Sequence, residues 1–166
     1  MKKFSHFVLS STLVCVLLLI AAYFIEFYFH ADPCPLCLLQ RYTVIGITVL
    51  SIAALIHRPQ RKGQLFYIAL QLFFCLIGIL LTLRHLWLQY LAPHDVVLSC
   101  TAGLDRMLQF QPLLETLKDV VFSSDNCADI DFTLLNLPLS AWSFFFFIAM
   151  SLFDSTLLWL IIKRRI

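Results

Sequence analysis

Sulfur is the atom in this chain suited to repeated two-electron chemistry, and its spacing along the sequence is informative. Cys34-Pro35-Leu36-Cys37 stands at the mouth of an apolar stretch, and a second couple, Cys100 and Cys127, lies in the only long polar segment. A Cys-x-x-Cys spacing brings two sulfurs within reach of one disulfide. Two such couples on one side of a membrane suggest a relay that passes electrons by thiol–disulfide exchange. Cys15 and Cys75 sit deep within apolar runs, where a free cysteine behaves as a small hydrophobe, and they are read as spectators.

The surroundings of the Cys-x-x-Cys refine that chemistry. At a helix start the unpaired backbone N–H groups and the helix dipole stabilise a thiolate. Pro35 suits the first turn, where its missing N–H costs nothing, so the reading places Cys34 at the cap and Cys37, the more acidic thiol, inside the first turn. Arg41 lies four residues on, on the same helical face as Cys37. A guanidinium just inside a bilayer surface is expensive, and two readings stay open. It stabilises a Cys37 thiolate or an anion developing on a bound electron acceptor, or it snorkels to the headgroups. His85, beside Arg84 at the end of the third apolar run, either approaches the same region from a neighbouring helix or is a solvated interfacial histidine.

The elements that must position these residues follow from hydropathy. Of 166 residues, 61% are hydrophobic and 13% charged, more apolar surface than a soluble core of this length can bury, so the chain is an integral membrane protein. A bilayer core needs about 20 apolar residues per helix, and four segments meet it: 7–29, 38–56, 65–83 and 139–162. The fold expected is an all-α, single-domain bundle of four transmembrane helices over residues 1–166, with connections at 30–37, 57–64 and 85–138. Lys2-Lys3 before an apolar run resembles a secretory signal, but the run exceeds a normal signal core and no convincing cleavage site follows, so it is read as a retained helix.

Charge placement orients the bundle. Lys2, Lys3, Arg58, Arg61, Lys62, Lys163, Arg164 and Arg165 fall at the termini and in the 57–64 connection; excess Lys and Arg mark cytoplasmic segments. Asp32, Asp95, Asp105, Glu115, Asp119, Asp125, Asp129 and Asp131 lie in the other two connections, which would then face an oxidising compartment where disulfides persist. Within the long outer loop, Leu113, Leu114, Leu117, Val120 and Val121 follow helical spacing after Pro112. A short amphipathic helix is expected there, lying on the membrane surface or packed on the bundle, since periodicity does not tell lipid from protein. Asp154, toward the inner end of the fourth run, calls for a partner or a polar crevice and has no evident role on the opposite side. The phenylalanines from Phe144 to Phe147 are read as lipid contact and packing.

On these residues the chain resembles the DsbB family, the quinone-dependent disulfide-bond formation proteins of bacterial inner membranes. The resemblance runs through Cys34-Pro35-Leu36-Cys37 with Gln40-Arg41, then Arg84-His85 with Trp87-Leu88-Gln89, then Cys100 with Leu104-Asp105, Pro112-Leu113, Val121-Phe122, Cys127-Ala128, and Leu137-Pro138 before Trp142-Ser143. It departs at Asp125-Asn126 and Asn136, where glycine is common in the family, and at Phe132, where tryptophan is frequent. Asn and Asp tolerate left-handed backbone better than other non-glycine residues, so these changes bear on loop detail rather than on sulfur chemistry.

The resemblance implies a sequence of exchanges. A reduced, soluble DsbA-like thiol oxidase would attack a Cys100–Cys127 disulfide at Cys100. Cys127, released, would attack the Cys34–Cys37 disulfide at Cys34. Cys37, flanked by Arg41, would then deliver the electrons to a membrane quinone, ubiquinone or menaquinone, with Arg41 and His85 beside its oxygens. Partners implied are the periplasmic oxidase, the quinone and the lipid bilayer, with no nucleic acid and no metal. The localisation implied is a bacterial inner membrane, both termini cytoplasmic. The chain lacks a haem-attachment Cys-x-x-Cys-His and a glycine-rich nucleotide fingerprint, which leaves a lipid-soluble two-electron carrier as the simplest acceptor. Three other classes compete. A vitamin-K-epoxide-reductase-like enzyme would carry its membrane-proximal Cys-x-x-Cys late in the chain. A zinc protein would favour two close cysteine pairs. A non-catalytic subunit would hold permanent structural disulfides.

Overall fold

The computed structural model describes residues 2–29, 34–90, 133–134 and 137–163. Cys100, Cys127 and the expected amphipathic segment after Pro112 lie outside them. Four helices carry the fold: α1 (Lys2–Phe29), α2 (Pro35–His57), α3 (Arg61–Tyr90) and α4 (Leu139–Ile162). Among the described residues these four are long and apolar enough to cross a membrane. The shortest, with 23 residues, reaches about 35 Å against a hydrocarbon core of about 30 Å. Two short strands, β1 (Thr133–Leu134) and β2 (Leu137–Pro138), pair antiparallel with Leu134 opposite Leu137, and β2 runs directly into α4.

The helices outrun the apolar segments that predict them. α2 opens at Pro35, so Pro35, Leu36 and Cys37 belong to the helix and not to a 30–37 loop. Only Arg58, Pro59 and Gln60 separate α2 from α3, in place of a 57–64 connection. α3 continues past Leu83 to Tyr90, so Arg84 and His85 are helical rather than the start of the 85–138 loop. The cause is that hydropathy measures the hydrocarbon layer, whereas a helix persists through the headgroups until a cap satisfies its last backbone groups.

Those caps are visible. Cys34, extended at φ −64° and ψ 158°, accepts the Cys37 N–H on its sulfur, with Pro35 in the first turn. At the other end of α2, Arg58 is left-handed (φ 43°, ψ 57°) and its N–H reaches the Ala54 carbonyl at 3.1 Å; Pro59 then blocks continuation. Arg61 donates to the carbonyls of Ile161 and Ile162 at 3.0 and 2.8 Å, placing a cation on the negative end of α4 and tying the start of α3 to the end of α4.

α2 packs between α1 and α3, and α3 packs along α4, while α1 meets α4 only locally. That seam is closed at the end remote from Cys34, where the Phe7 and Phe153 rings lie 5.5 Å apart and Phe4, Val8, Ala54, Ile68, Leu157 and Ile161 form one core layer. A central layer holds Cys15, Val44, Ile47, Cys75, Phe147 and Met150. Gly78 is what lets α3 approach α4 there, because a Cβ at that position would overlap the Phe147 ring. Outward, α1 shows Leu13, Leu17, Ile20, Phe24 and Phe27, a face that only lipid can cover without cost.

Asp154 lies past the middle of α4, toward its Ile162 end. It is 1% exposed, and the Cys75 thiol donates to its Oδ2 at 4.0 Å. Its partner is therefore one of the two spectator cysteines.

Candidate functional site

The head of α2 gathers the chemistry. Capping puts the Cys34 sulfur over the first turn, where it accepts the Cys37 N–H at 3.3 Å, and the helical rise brings the Cys37 sulfur to 3.0 Å from it. A disulfide needs sulfurs about 2.05 Å apart and Cβ atoms within about 4.5 Å, so a small side-chain rotation interconverts the open and bonded forms. Both residues are half-buried, which is the compromise that exchange requires: access for an attacking sulfur with little water.

Because α3 stays helical beyond Leu83, His85 points into the bundle. It is 3% exposed, and its Nε2 stands 3.9 Å from the Cys34 sulfur. Two amides hold the ring, one of them braced by Ser140. The Gln40 amide lies 3.2 Å from Nδ1, the Gln89 amide nitrogen 3.3 Å from Nε2, and Ser140 donates to Gln89 Oε1 at 2.5 Å. A neutral imidazole offers one N–H and one lone pair, so only one of two facing amides can donate. Ser140 fixes Gln89 with its NH2 toward His85. Nε2 is then the acceptor and Nδ1 carries the hydrogen once the Gln40 amide, placed with its nitrogen toward Nδ1, is turned to present its oxygen. The ring nitrogen nearest Cys34 is thereby the one able to take a thiol proton.

Arg41 is not a bare cation. Its Nη1 donates to Glu26 Oε2 at 2.6 Å, and its guanidinium lies 4.4 Å from the centre of the Tyr23 ring. The pairing is partly buried, with side-chain exposures of 13% for Arg41 and 31% for Glu26, and charge-assisted contacts of this kind are among the stronger hydrogen bonds. Glu26 sits inside the first apolar run and escaped a reading that looked for outer acids in loops. Its signal was available: a lone carboxylate in a spanning segment demands a partner.

Beside the dithiol, the seam between α1 and α4 opens into a cleft of about 70 Å³. Leu18, Leu19 and Ala22 of α1 and Phe146 and Phe147 of α4 make it apolar. Cys37, Gln40, Arg41, Ser140 and Ser143 supply polar edges. His85 is not among its lining residues; it touches Cys34 instead. So the two sulfurs have different company, Cys34 a histidine and Cys37 the cleft. Of the six site residues expected from sequence, four come together here, and Cys100 and Cys127 lie outside the described residues. Gln40, Gln89, Ser140 and Glu26 were missed as site residues, because their function depends on which helix faces which.

The family model for disulfide bond formation protein DsbB matches residues 4–157. The chain is 39% identical to disulfide bond formation protein B of Nitrosococcus oceani over 130 residues, 78% of this chain and 76% of that one. It is 37% identical to disulfide bond formation protein B of Methylococcus capsulatus over 147 residues, 89% of each. With the same-named protein of Chromohalobacter salexigens it shares 33% over 154 residues, 92% of this chain and 89% of that one. A dithiol capping a spanning helix, inside a match that covers nearly the whole length, makes this multi-pass membrane chain a thiol oxidoreductase of the DsbB family of disulfide bond formation proteins.

Proposed function

We propose that this protein reoxidises a DsbA-like thiol oxidase and passes the electrons to a membrane quinone, with the Cys34 end of the bundle facing the periplasm and both termini the cytoplasm. The observation that carries the reading is the division of company at the dithiol. Cys34 stands with a proton acceptor, and Cys37 opens on an apolar cleft at membrane level.

The steps balance as two-electron exchanges. The partner's dithiol reduces a Cys100–Cys127 disulfide, leaving the partner oxidised and two thiols on the loop. Cys127 attacks Cys34, and the Cys34–Cys37 bond breaks with Cys37 as leaving thiolate. When Cys100 displaces Cys34 from that interloop bond, the loop disulfide is restored and both electrons rest on the Cys34–Cys37 dithiol. When the acceptor takes that electron pair, Cys34 and Cys37 rejoin as a disulfide, and Nε2 of His85 would take the Cys34 proton as that sulfur closes on Cys37, with Gln40 and Gln89 keeping the ring in the tautomer that allows it.

A quinone supplies a two-electron, two-proton sink when bound. The cleft suits such a ring: apolar walls from α1 and α4, with Arg41, Gln40 and Ser143 as polar groups for its oxygens. Arg41, its charge already balanced by Glu26, can donate to a quinone oxygen without leaving an isolated cation in the membrane.

The test uses purified full-length protein, a reduced DsbA-like partner and a soluble quinone analogue, with quinol followed by absorbance. Quinol should form in proportion to partner oxidised, and Cys37→Ala should bring it to background. Turnover at the normal rate in that variant would remove Cys37 as the electron donor. A Cys127→Ala variant should accumulate a mixed disulfide with the partner through Cys100, which a chain with permanent structural disulfides would not do.

A further inference from the structure

We propose that the reduced Cys34–Cys37 pair and His85 form a binding site for a thiophilic divalent ion of the Zn²⁺ type, and that occupancy holds the protein out of the exchange cycle. One ligand atom from each residue lies within 4.8 Å of the other two. Around a tetrahedral Zn²⁺, with bonds of about 2.3 Å to sulfur and about 2.0–2.1 Å to nitrogen, the sulfurs are about 3.8 Å apart and sulfur and nitrogen about 3.6 Å. The observed 3.0 Å between sulfurs and 3.9 Å from the Cys34 sulfur to Nε2, with the third pair within 4.8 Å, need only rotamer adjustments of about 1 Å to reach that geometry.

The surroundings favour it. Two thiolates and an imidazole are the donors that select zinc over hard cations. Gln40 on Nδ1 orients the ring with its Nε2 toward the sulfurs, the arrangement of the outer hydrogen bonds that support metal-bound histidines. Binding releases the two thiol protons and leaves a neutral cluster, M²⁺ with two thiolates, where a free dithiolate would carry two charges at a membrane surface. The Gln89 contact to Nε2 gives way to the metal, and Gln89 keeps its Ser140 partner. Three protein ligands leave a fourth position for water or an external donor, so the ion can exchange. A disulfide between Cys34 and Cys37 has no thiolate to offer, so the site exists only in the reduced state. The loss of turnover rests on the thiol-relay reading above; the binding itself does not.

The experiment takes full-length protein carrying Cys100→Ser and Cys127→Ser, reduced and then freed of reductant, and titrates it with Co²⁺. One Co²⁺ per chain should bind with the intense visible bands of a tetrahedral sulfur-ligated ion, Zn²⁺ should displace it, and the oxidised protein should show none. His85→Ala should weaken binding at least tenfold, and Gln40→Ala about tenfold. X-ray absorption of the Zn²⁺ form, which needs no further variant, should give two sulfurs near 2.3 Å and a nitrogen near 2.0–2.1 Å. Equal binding by the oxidised protein, or a shell of oxygen and nitrogen alone, would overturn the site. Separately, Zn²⁺ should stop quinone reduction by the otherwise unmodified protein and a chelator restore it. If metal-free protein reduces no quinone, the relay reading fails while the Co²⁺ spectrum still decides the site. If turnover is intact and Zn²⁺ leaves it unchanged, the regulatory role fails alone.

Discussion

Two groups of cysteines in this molecule are built from the same atoms and placed for opposite ends. At the head of α2, Cys34 and Cys37 are half-buried on one helical turn, with His85 held against the first and a cleft beside the second. At the central layer, Cys15 and Cys75 are each 0% exposed and come from different helices, Cys75 facing a buried carboxylate. Sulfur chemistry needs access, an adjacent sulfur and a group to take a proton. The first group has all three. The second has a polar neighbour and no path for an attacking thiol, so it works as packing.

The sharpest way to break that contrast is to exchange the outcomes. Cys34→Ala or Cys37→Ala should bring quinone reduction to background, while Cys15→Ala and Cys75→Ala keep it within about twofold, since a buried cysteine acts as a small hydrophobe. A membrane-permeant maleimide should label the α2 pair in folded, reduced protein and reach the central pair only on unfolding. Labelling of Cys75 at the same rate as Cys37 would erase the distinction.

His85→Ala comes next, with a loss of about 10²-fold in the rate of exchange at Cys34, the lower range for removing a proton acceptor. His85→Gln, which keeps a polar side chain of similar reach, should fail to rescue it, and a stopped-flow pH profile should lose one ionisation. An unchanged profile would reduce the histidine to a packing role.

Glu26→Gln sharpens the site from the cleft side. Removing one partner of a partly buried ion pair leaves Arg41 uncompensated; with Glu26 about a third exposed, the expected cost is about 1–3 kcal/mol, below the full value for buried pairs. Thermal unfolding in detergent reads that cost. If Arg41 faces the quinone, KM for the quinone should also rise, by about tenfold for each 1.4 kcal/mol of positioning lost. The smallest effect on activity belongs to Gly78→Ala, where overpacking against Phe147 should cost about 1–3 kcal/mol of stability and, since Phe147 also lines the cleft, raise KM for the quinone by less than Glu26→Gln does.

How much of this was legible beforehand depends on the range of the interaction involved. The cap at Cys34, Pro35 in the first turn and Cys37 within it are local geometry, and the spacing alone set them. Four spanning helices followed from a transfer free energy that sums along the chain. The true length of α3 did not, because Arg84 and His85 look like a boundary to a hydropathy window while the backbone continues through them. Arg41 illustrates the harder case. Its cost in a membrane was evident, but the group that offsets it is fifteen residues earlier on another helix.

The sequence by itself determined that this is a membrane bundle with a redox-capable dithiol at a helix start, because apolar run length and Cys-x-x-Cys spacing act over a few turns of chain. Only the tertiary structure decided that His85 stands against Cys34, that Glu26 holds Arg41, and that the cleft opens on Cys37. Those outcomes depend on how α1, α3 and α4 are rotated about their axes against α2, and that rotation comes from packing contacts such as Gly78 against Phe147, between residues far apart in sequence.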